Sequence, residues 1–152
     1  MNTKKIIPGT RIGELRVTPS KTQMFMFSAI TWNRHQIHFN RDQAEAEGFS
    51  DVAVQRGLLG NFLSRLMTDW AGGSGRLIRL QWKVVKSAFP GEELTCQGEV
   101  TAVTDAGVAK QVDCAIRILN SAGELIATGE ARVEFLSGLA YMRSTQAESP
   151  QP

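Results

Sequence analysis

The chain has two histidines, His35 and His38, and both fall in the stretch TWNRHQIH at 31–38. Asn33 precedes them, and Arg34, Gln36 and Arg41 flank them. Three kinds of chemistry compete for this cluster. A catalytic zinc needs about three protein ligands, and two histidines fall short of that set, so no metal is expected. A purely structural reading has one or both rings hydrogen-bonding backbone where a strand passes into a helix. The third reading is proton transfer on a bound substrate, with His38 as the main acid–base group and His35 as a candidate second. An imidazole near its ordinary pKa of about 6.5 both accepts and gives a proton at neutral pH.

The element that must position these residues follows them. In GLLGNFLSRLMTDWA, residues 57–71, Leu58, Leu59, Phe62, Leu63, Leu66, Met67 and Trp70 recur at spacings of three and four. That spacing predicts a helix with an apolar stripe broad enough to need cover on more than one side. The run GGSG at 72–75 stops it, because glycine tolerates the left-handed conformation of a helix end. Before it, 40–48 reads as a short helix capped by Asn40, with Gln43 placed as in a capping box and Gly48 as its stop. Residues 49–55 connect the two. TQMFMFSAIT, residues 22–31, is apolar on both parities and fits a doubly buried strand or a buried helix equally. Residues 10–18 alternate weakly, Pro19-Ser20 closes them, and 1–9 are expected to be a loose leader.

From Arg76 the period changes to two. Strands are expected over 76–89, 94–104, 108–119 and 124–136, separated by turn-forming runs at 90–92, 105–107 and 120–123. Leu94, Cys96, Val100 and Ala102 share one face, and Val108, Val112, Cys114, Ile116 and Ile118 another. A three-residue loop at 105–107 would merge these faces and set Cys96 near Cys114. Leu125, Ala127, Gly129, Ala131, Val133 and Phe135 continue the apolar side, with Glu124, Thr128, Glu130, Arg132 and Glu134 facing solvent. Small residues at 127, 129 and 131 would let the helix approach the sheet. The class is therefore α+β, in one domain over 1–138, with 139–152 a disordered tail. A long antiparallel sheet curled around one apolar helix is the hotdog arrangement.

Seventeen basic against fifteen acidic residues give a net charge of +2, too little to argue for a nucleic acid or a membrane surface. The first eight residues lack the apolar run of a signal peptide, and no stretch approaches the roughly 18 apolar residues of a membrane span. A cytoplasmic setting is expected, with both cysteines reduced.

The block FSAITWNRHQIHF at 27–39, followed by EGF at 47–49, Val54 and Gly57-Leu58-Leu59, resembles the MaoC-like hotdog hydratases and dehydratases. It is most similar to the branch of mesaconyl-CoA hydratases and 3-hydroxyacyl-thioester dehydratases. The likeness covers about 9–136 in layout and is specific over 22–60. It implies reversible addition of water across the 2,3 double bond of an enoyl thioester. Coenzyme A or an acyl-carrier protein then enters as part of the substrate, and no separate cofactor is expected. Such a reaction needs a base for water, a proton for C2 and donors to the thioester oxygen. The resemblance assigns the base to His38 and the oxygen donor to the helix start at Gly57, where a thioester could approach backbone closely; a glycine needed for the turn into the helix accounts for Gly57 equally.

Two departures bear on this. Where the commoner motif reads D-x-N-P-x-H, this chain has Asn33 for the aspartate and His35 for the asparagine. Asn33 cannot take a proton, which leaves it to orient water or carbonyl. Gln55-Arg56 stands where many relatives have histidine before the glycine. Arg56 could meet a substrate carboxylate or CoA phosphate or equally be an exposed arginine with no partner, and Arg34 and Trp32 join it as substrate-binding candidates. Trp32 and Phe39 suit an acyl or pantetheine channel as well as packing. Arg76, Arg79, Lys83 and Lys86 could meet CoA phosphates but equally form a solvated face. By analogy a homodimer or heterodimer of hotdogs is implied. The rivals are a non-catalytic subunit completing a heteromeric dehydratase and, more weakly, an acyl-CoA thioesterase, since no carboxylate lies within the histidine block.

Overall fold

The computed structural model describes residues 6–105, 107 and 109–136. The stripe of the sequence becomes helix α3 (Arg56–Ala71), in which Leu58, Leu59, Phe62, Leu63, Leu66 and Met67 are all buried. Trp70 is half-buried and meets Phe135 edge-to-face at 5.6 Å. Gly72, at φ 58, ends the helix and donates its N–H to the Thr68 carbonyl. No helix among the described residues is long and apolar enough to cross a membrane.

Five strands enclose α3: β1 (Arg11–Val17), β2 (Gly75–Val84), β3 (Leu94–Asp105), β4 (Ala109–Asn120) and β5 (Leu125–Leu136). They form one antiparallel sheet in the order β1-β3-β4-β5-β2. The helix touches every strand, as the hotdog arrangement requires.

Residues 22–31, open between strand and helix, are helix α1 (Lys21–Thr31), started by the Ser20 side chain accepting from the Gln23 N–H. The short helix α2 (Arg41–Ala46) has Asn40 as its cap, bonded to the Gln43 N–H. Only half of the capping box forms, because the Gln43 amide donates forward to Glu47 at 3.0 Å. Gly48, at φ 91, makes the stop.

Several expectations are corrected. The leader is not loose from residue 6 onward: Ile6 packs on the core, and the Gly9 N–H bonds the Val100 carbonyl at 2.9 Å. Strand β2 stops at Val84, since the following chain turns inward, burying Ala88 and giving its carbonyl to the Val54 N–H. A bulge between Val100 and Ala102 shifts the β3–β4 register, so Val103 packs on the core in place of Ala102. Cys96 then lies opposite Ile118 and Cys114 opposite Val100, which separates the cysteines that the hairpin loop was expected to bring together. A second irregularity, between Ile118 and Leu119, buries Ile126 and leaves Leu125 outside. Gly129 is small for a different reason than expected: a Cβ there would collide with the backbone of Gln81 and Trp82 on β2. The tail at 139–152 lies outside the described residues.

Candidate active site

Helix α1 ends at Trp32, whose left-handed backbone (φ 55) returns the chain toward α3, with its N–H on the Ser28 carbonyl. Asn33 then accepts the His35 N–H on Oδ1 at 3.2 Å, a local bond of the kind that asparagine forms in turns. A 3-10 turn at Gln36–His38 follows, anchored by buried Ile37. The connector at 49–55 pins this turn from the other side. The Ala53 N–H donates to the Ile37 carbonyl at 2.9 Å, and the Ala53 carbonyl lies 2.7 Å from His38 Nδ1. A carbonyl can only accept, so Nδ1 carries the hydrogen and Nε2 presents its lone pair.

Burial lowers the His38 pKa from its ordinary value; the Ala53 carbonyl opposes that shift, and the neighbouring His35 adds to it. The ring is half-buried and opens on a groove of about 350 Å³ between α1 and the turn. Thr22 and Phe25 of α1, Phe39 and Val52 complete its apolar wall, with Phe25 and Phe39 edge-to-face at 6.2 Å. Lys21 and Arg41 also line it, paired with Asp51 at 3.1 Å and Glu45 at 2.7 Å. Two other depressions, of about 420 and 490 Å³, are lined by sheet residues and by no histidine.

His35 stands edge-to-face with His38, ring centroids 5.7 Å apart. Its Nε2 lies 3.2 Å from Glu47 Oε2, while Glu47 Oε1 accepts from Gln43. The sequence offered Glu47 only as part of an EGF match. Its place four residues after Gln43, at the end of a helix that starts beside the histidines, was the signal that it could fold back to them.

The remaining candidates are not gathered on the groove. Trp32 is 75% exposed and carries the Arg34 guanidinium 5.9 Å from its ring centroid. Arg56 donates to the Trp82 carbonyl at 2.8 Å and lies 5.0 Å from that ring's centroid. The space at Gly57 is taken by the Phe27 ring, 3.1 Å from where a Cβ would stand. No side chain caps the start of α3, so its first N–H groups keep the positive end of the helix dipole. They begin three positions after the Ala53 carbonyl that holds His38. Arg76 and Lys86 are paired with Glu134 and Glu124, each at 2.6 Å, so these two belong to the solvated face. Among the described residues no three His, Cys, Asp or Glu side chains converge as a metal site.

The chain resembles known proteins in both sequence and shape. It is 27% identical, over 106 residues, to the 3-oxo-4,17-pregnadiene-20-carboxyl-CoA hydratase beta subunit of Mycobacterium tuberculosis, covering 70% of this chain and 82% of that one. The crystal structure of the ChsH1-ChsH2 complex from the same organism superposes with a TM-score of 0.76 at 24% identity, over 85% of this chain and 98% of that one. The (R)-hydratase from A. caviae involved in PHA biosynthesis gives 0.77 at 23% identity, over 86% and 98%. These two likenesses establish the fold. Residues 3–90 match the family described as hydroxyacyl-thioester dehydratase type 2. With that match spanning more than half of its length, the chain belongs to the hydroxyacyl-thioester dehydratase type 2 family, one of hotdog hydratases and dehydratases.

Proposed function

We propose that the chain is an enoyl-thioester hydratase, or 3-hydroxyacyl-thioester dehydratase, with His38 as its base. One observation carries this reading: the bond from Nδ1 to the Ala53 carbonyl, which aims an unprotonated Nε2 from a half-buried ring on a groove. In the hydration direction Nε2 removes a proton from water as its oxygen bonds to C3. Electrons move through C2 to the thioester oxygen, where the uncapped N–H groups at Gly57 offset the developing charge. C2 then takes a proton from His35, and solvent exchange resets the two rings. Asn33, its Oδ1 engaged by His35, orients water or carbonyl through its Nδ2.

The acyl chain would lie along Phe25 and Phe39. Trp32 and Arg34, stacked and exposed beside the turn, would meet the arm of coenzyme A or an acyl-carrier protein. Arg56 would join them only by leaving Trp82. The setting proposed is cytoplasmic, and no cofactor beyond the thioester carrier is called for.

A second reading has the chain completing the site of another hotdog subunit. Asn33 in place of an aspartate favours it, as does the naming of the M. tuberculosis relative as a beta subunit. Crotonyl-, mesaconyl- and long-chain enoyl-CoA should be offered to the pure chain, following loss of the enoyl-thioester absorbance. Turnover that falls by about two orders of magnitude in His38→Ala supports the enzyme. Turnover that appears only with a second hotdog subunit and survives His38→Ala supports the partner. Free thiol released from saturated acyl-CoA, without hydration, would indicate a thioesterase instead.

A further inference from the structure

We propose that the outer edge of β2 docks an edge strand of a different protein chain, one whose side chains along the contact are carboxylates. The inference goes beyond the hydration reading and stands whichever chain carries the chemistry. In the order β1-β3-β4-β5-β2, only one long side of β2 is paired, to β5. Ten residues of strand therefore keep a row of main-chain N–H and C=O groups on the side that another strand could pair. Apolar side chains gather along the same edge. Ile78, at the register shift between Leu77 and Arg79, is 42% exposed, Val84 is 37% exposed, and Val85, just past the strand, is 55% exposed. Apolar side chains beside unpaired backbone are what a strand-to-strand contact buries. The other edge strand, β1, is built differently: it has seven residues, broken by a register shift after Ile12. Its Leu15 and Val17 pack on the core, and its Arg16 is matched by Glu14 at 3.5 Å and Glu93 at 3.4 Å.

The charge along β2 says what the docking strand carries. Its charged residues are Arg76, Arg79 and Lys83, all exposed, and it has no Asp or Glu. Arg76 is held by Glu134. On the neighbouring strands, Glu130 is taken by the Gln81 amide at 2.8 Å and Asp113 by the Arg132 guanidinium. Arg79 and Lys83 are left without an ion pair among the described residues. Arg56 adds a further cation, its guanidinium on the Trp82 carbonyl at 2.8 Å. A second copy of the chain is thus a poor occupant. Antiparallel self-pairing about a two-fold axis, with the strands fully overlapped, sets Arg76 opposite Lys83 at both ends. It also brings the two Arg79 side chains together between them. Like charges facing each other across a strand pair destabilise it, whereas a row of Asp or Glu on the incoming strand turns each of these contacts favourable.

The chain itself supplies the probe. The double variant Arg79→Glu/Lys83→Glu turns its own β2 into an acidic edge, which should pair with β2 of the wild type. Isotope-labelled wild type is mixed with an equal amount of unlabelled variant at low salt, and amide exchange is followed by NMR. Exchange along the open side of β2 should slow by about tenfold or more on mixing, while β1 is unchanged. Added salt should undo the effect, and sedimentation should show a matching rise in mass over either chain alone. Arg11→Glu/Lys110→Glu, the same change of charge placed off β2, should leave wild-type exchange unmoved. Wild type whose β2 amides are already slowed by self-association at low salt overturns the proposal, since a second copy is then the occupant. Unchanged β2 exchange on mixing overturns it too, as does equal slowing by the control variant. Should the double variant fail to fold, Lys83→Glu alone must give the same slowing to a smaller degree. None of these readouts uses turnover, so the result stands apart from the fate of the hydration reading.

Discussion

Trp82 of β2 lies so close over Gly60 of α3 that a Cβ on the glycine would overlap three carbons of the indole. The ring cannot easily step aside. Its Nε1–H donates to the Arg56 carbonyl at 3.0 Å, and the Arg56 guanidinium lies 5.0 Å from its centroid. Alanine would gain about 0.5–1 kcal/mol of helix propensity, but forced overpacking costs typically 1–3 kcal/mol. Gly60→Ala should therefore destabilise the fold by about 1–2 kcal/mol in urea unfolding. A variant as stable as wild type would show that the indole repacks freely.

The direction of the His38 shift fixes a pH dependence. Burial favours the neutral ring in the folded state, so the unfolded chain binds the proton first as pH falls. Stability from this ring is complete above about pH 6.5 and is lost as pH drops through the lower folded value. Urea midpoints should fall over that window in wild type and less so in His38→Gln. The acid limb of kcat/KM should lie below 6.5 for the same reason, and a limb above 7 would contradict the assignment of His38 as base.

Gln55, 1% exposed at the start of α3, reaches back to α1. Its Nε2 donates to the Met24 carbonyl at 2.6 Å and to Ser28 Oγ at 2.9 Å. Gln55→Met keeps most of the volume and deletes both bonds, which should cost about 1–2 kcal/mol. Because α1 supplies Phe25 to the groove, KM should rise more than kcat falls. Hydrogen exchange faster in α1 than in α3 would locate the loss.

Burial pushes the thiols of Cys96 and Cys114 up to about 12. Neither should react with a thiol reagent in the native protein, and both should react in denaturant. No disulfide should form on oxidation. Residues that face Ile118 and Val100 are offset by four positions along the hairpin, about 13 Å, beyond the roughly 7 Å that a bridge tolerates.

How much of this was legible in sequence depends on where periodicity survives. The stripe of α3 was clear because its apolar residues are buried while Asn61, Arg65, Thr68 and Asp69 keep the opposite side exposed. That of α1 was not, since Phe25, Met26 and Ile30 are exposed in the folded chain and spoil the contrast between its faces. Its start was nonetheless written in Ser20, the cap that accepts from the Gln23 N–H, but Ser20 was read only as the close of the run before it. Alternation gave the four C-terminal strands but not the bulges at 100–102 and 118–119, which no spacing rule announces. At the site, His38 and the role open to it were readable as a motif. Its tautomer depends on a carbonyl fifteen residues away, and Glu47 meets His35 only through the fold of α2.

The oxygen that orients His38 belongs to the main chain. Any residue at 53 brings the same atom, and because Ala53 is buried it is replacement by another small residue that leaves the base correctly aimed. What the arrangement cannot absorb is a change in the number of residues between the turn and α3. A single insertion or deletion in 49–55 would carry that oxygen away from the ring, so drift in this part of the chain is constrained in length far more than in spelling.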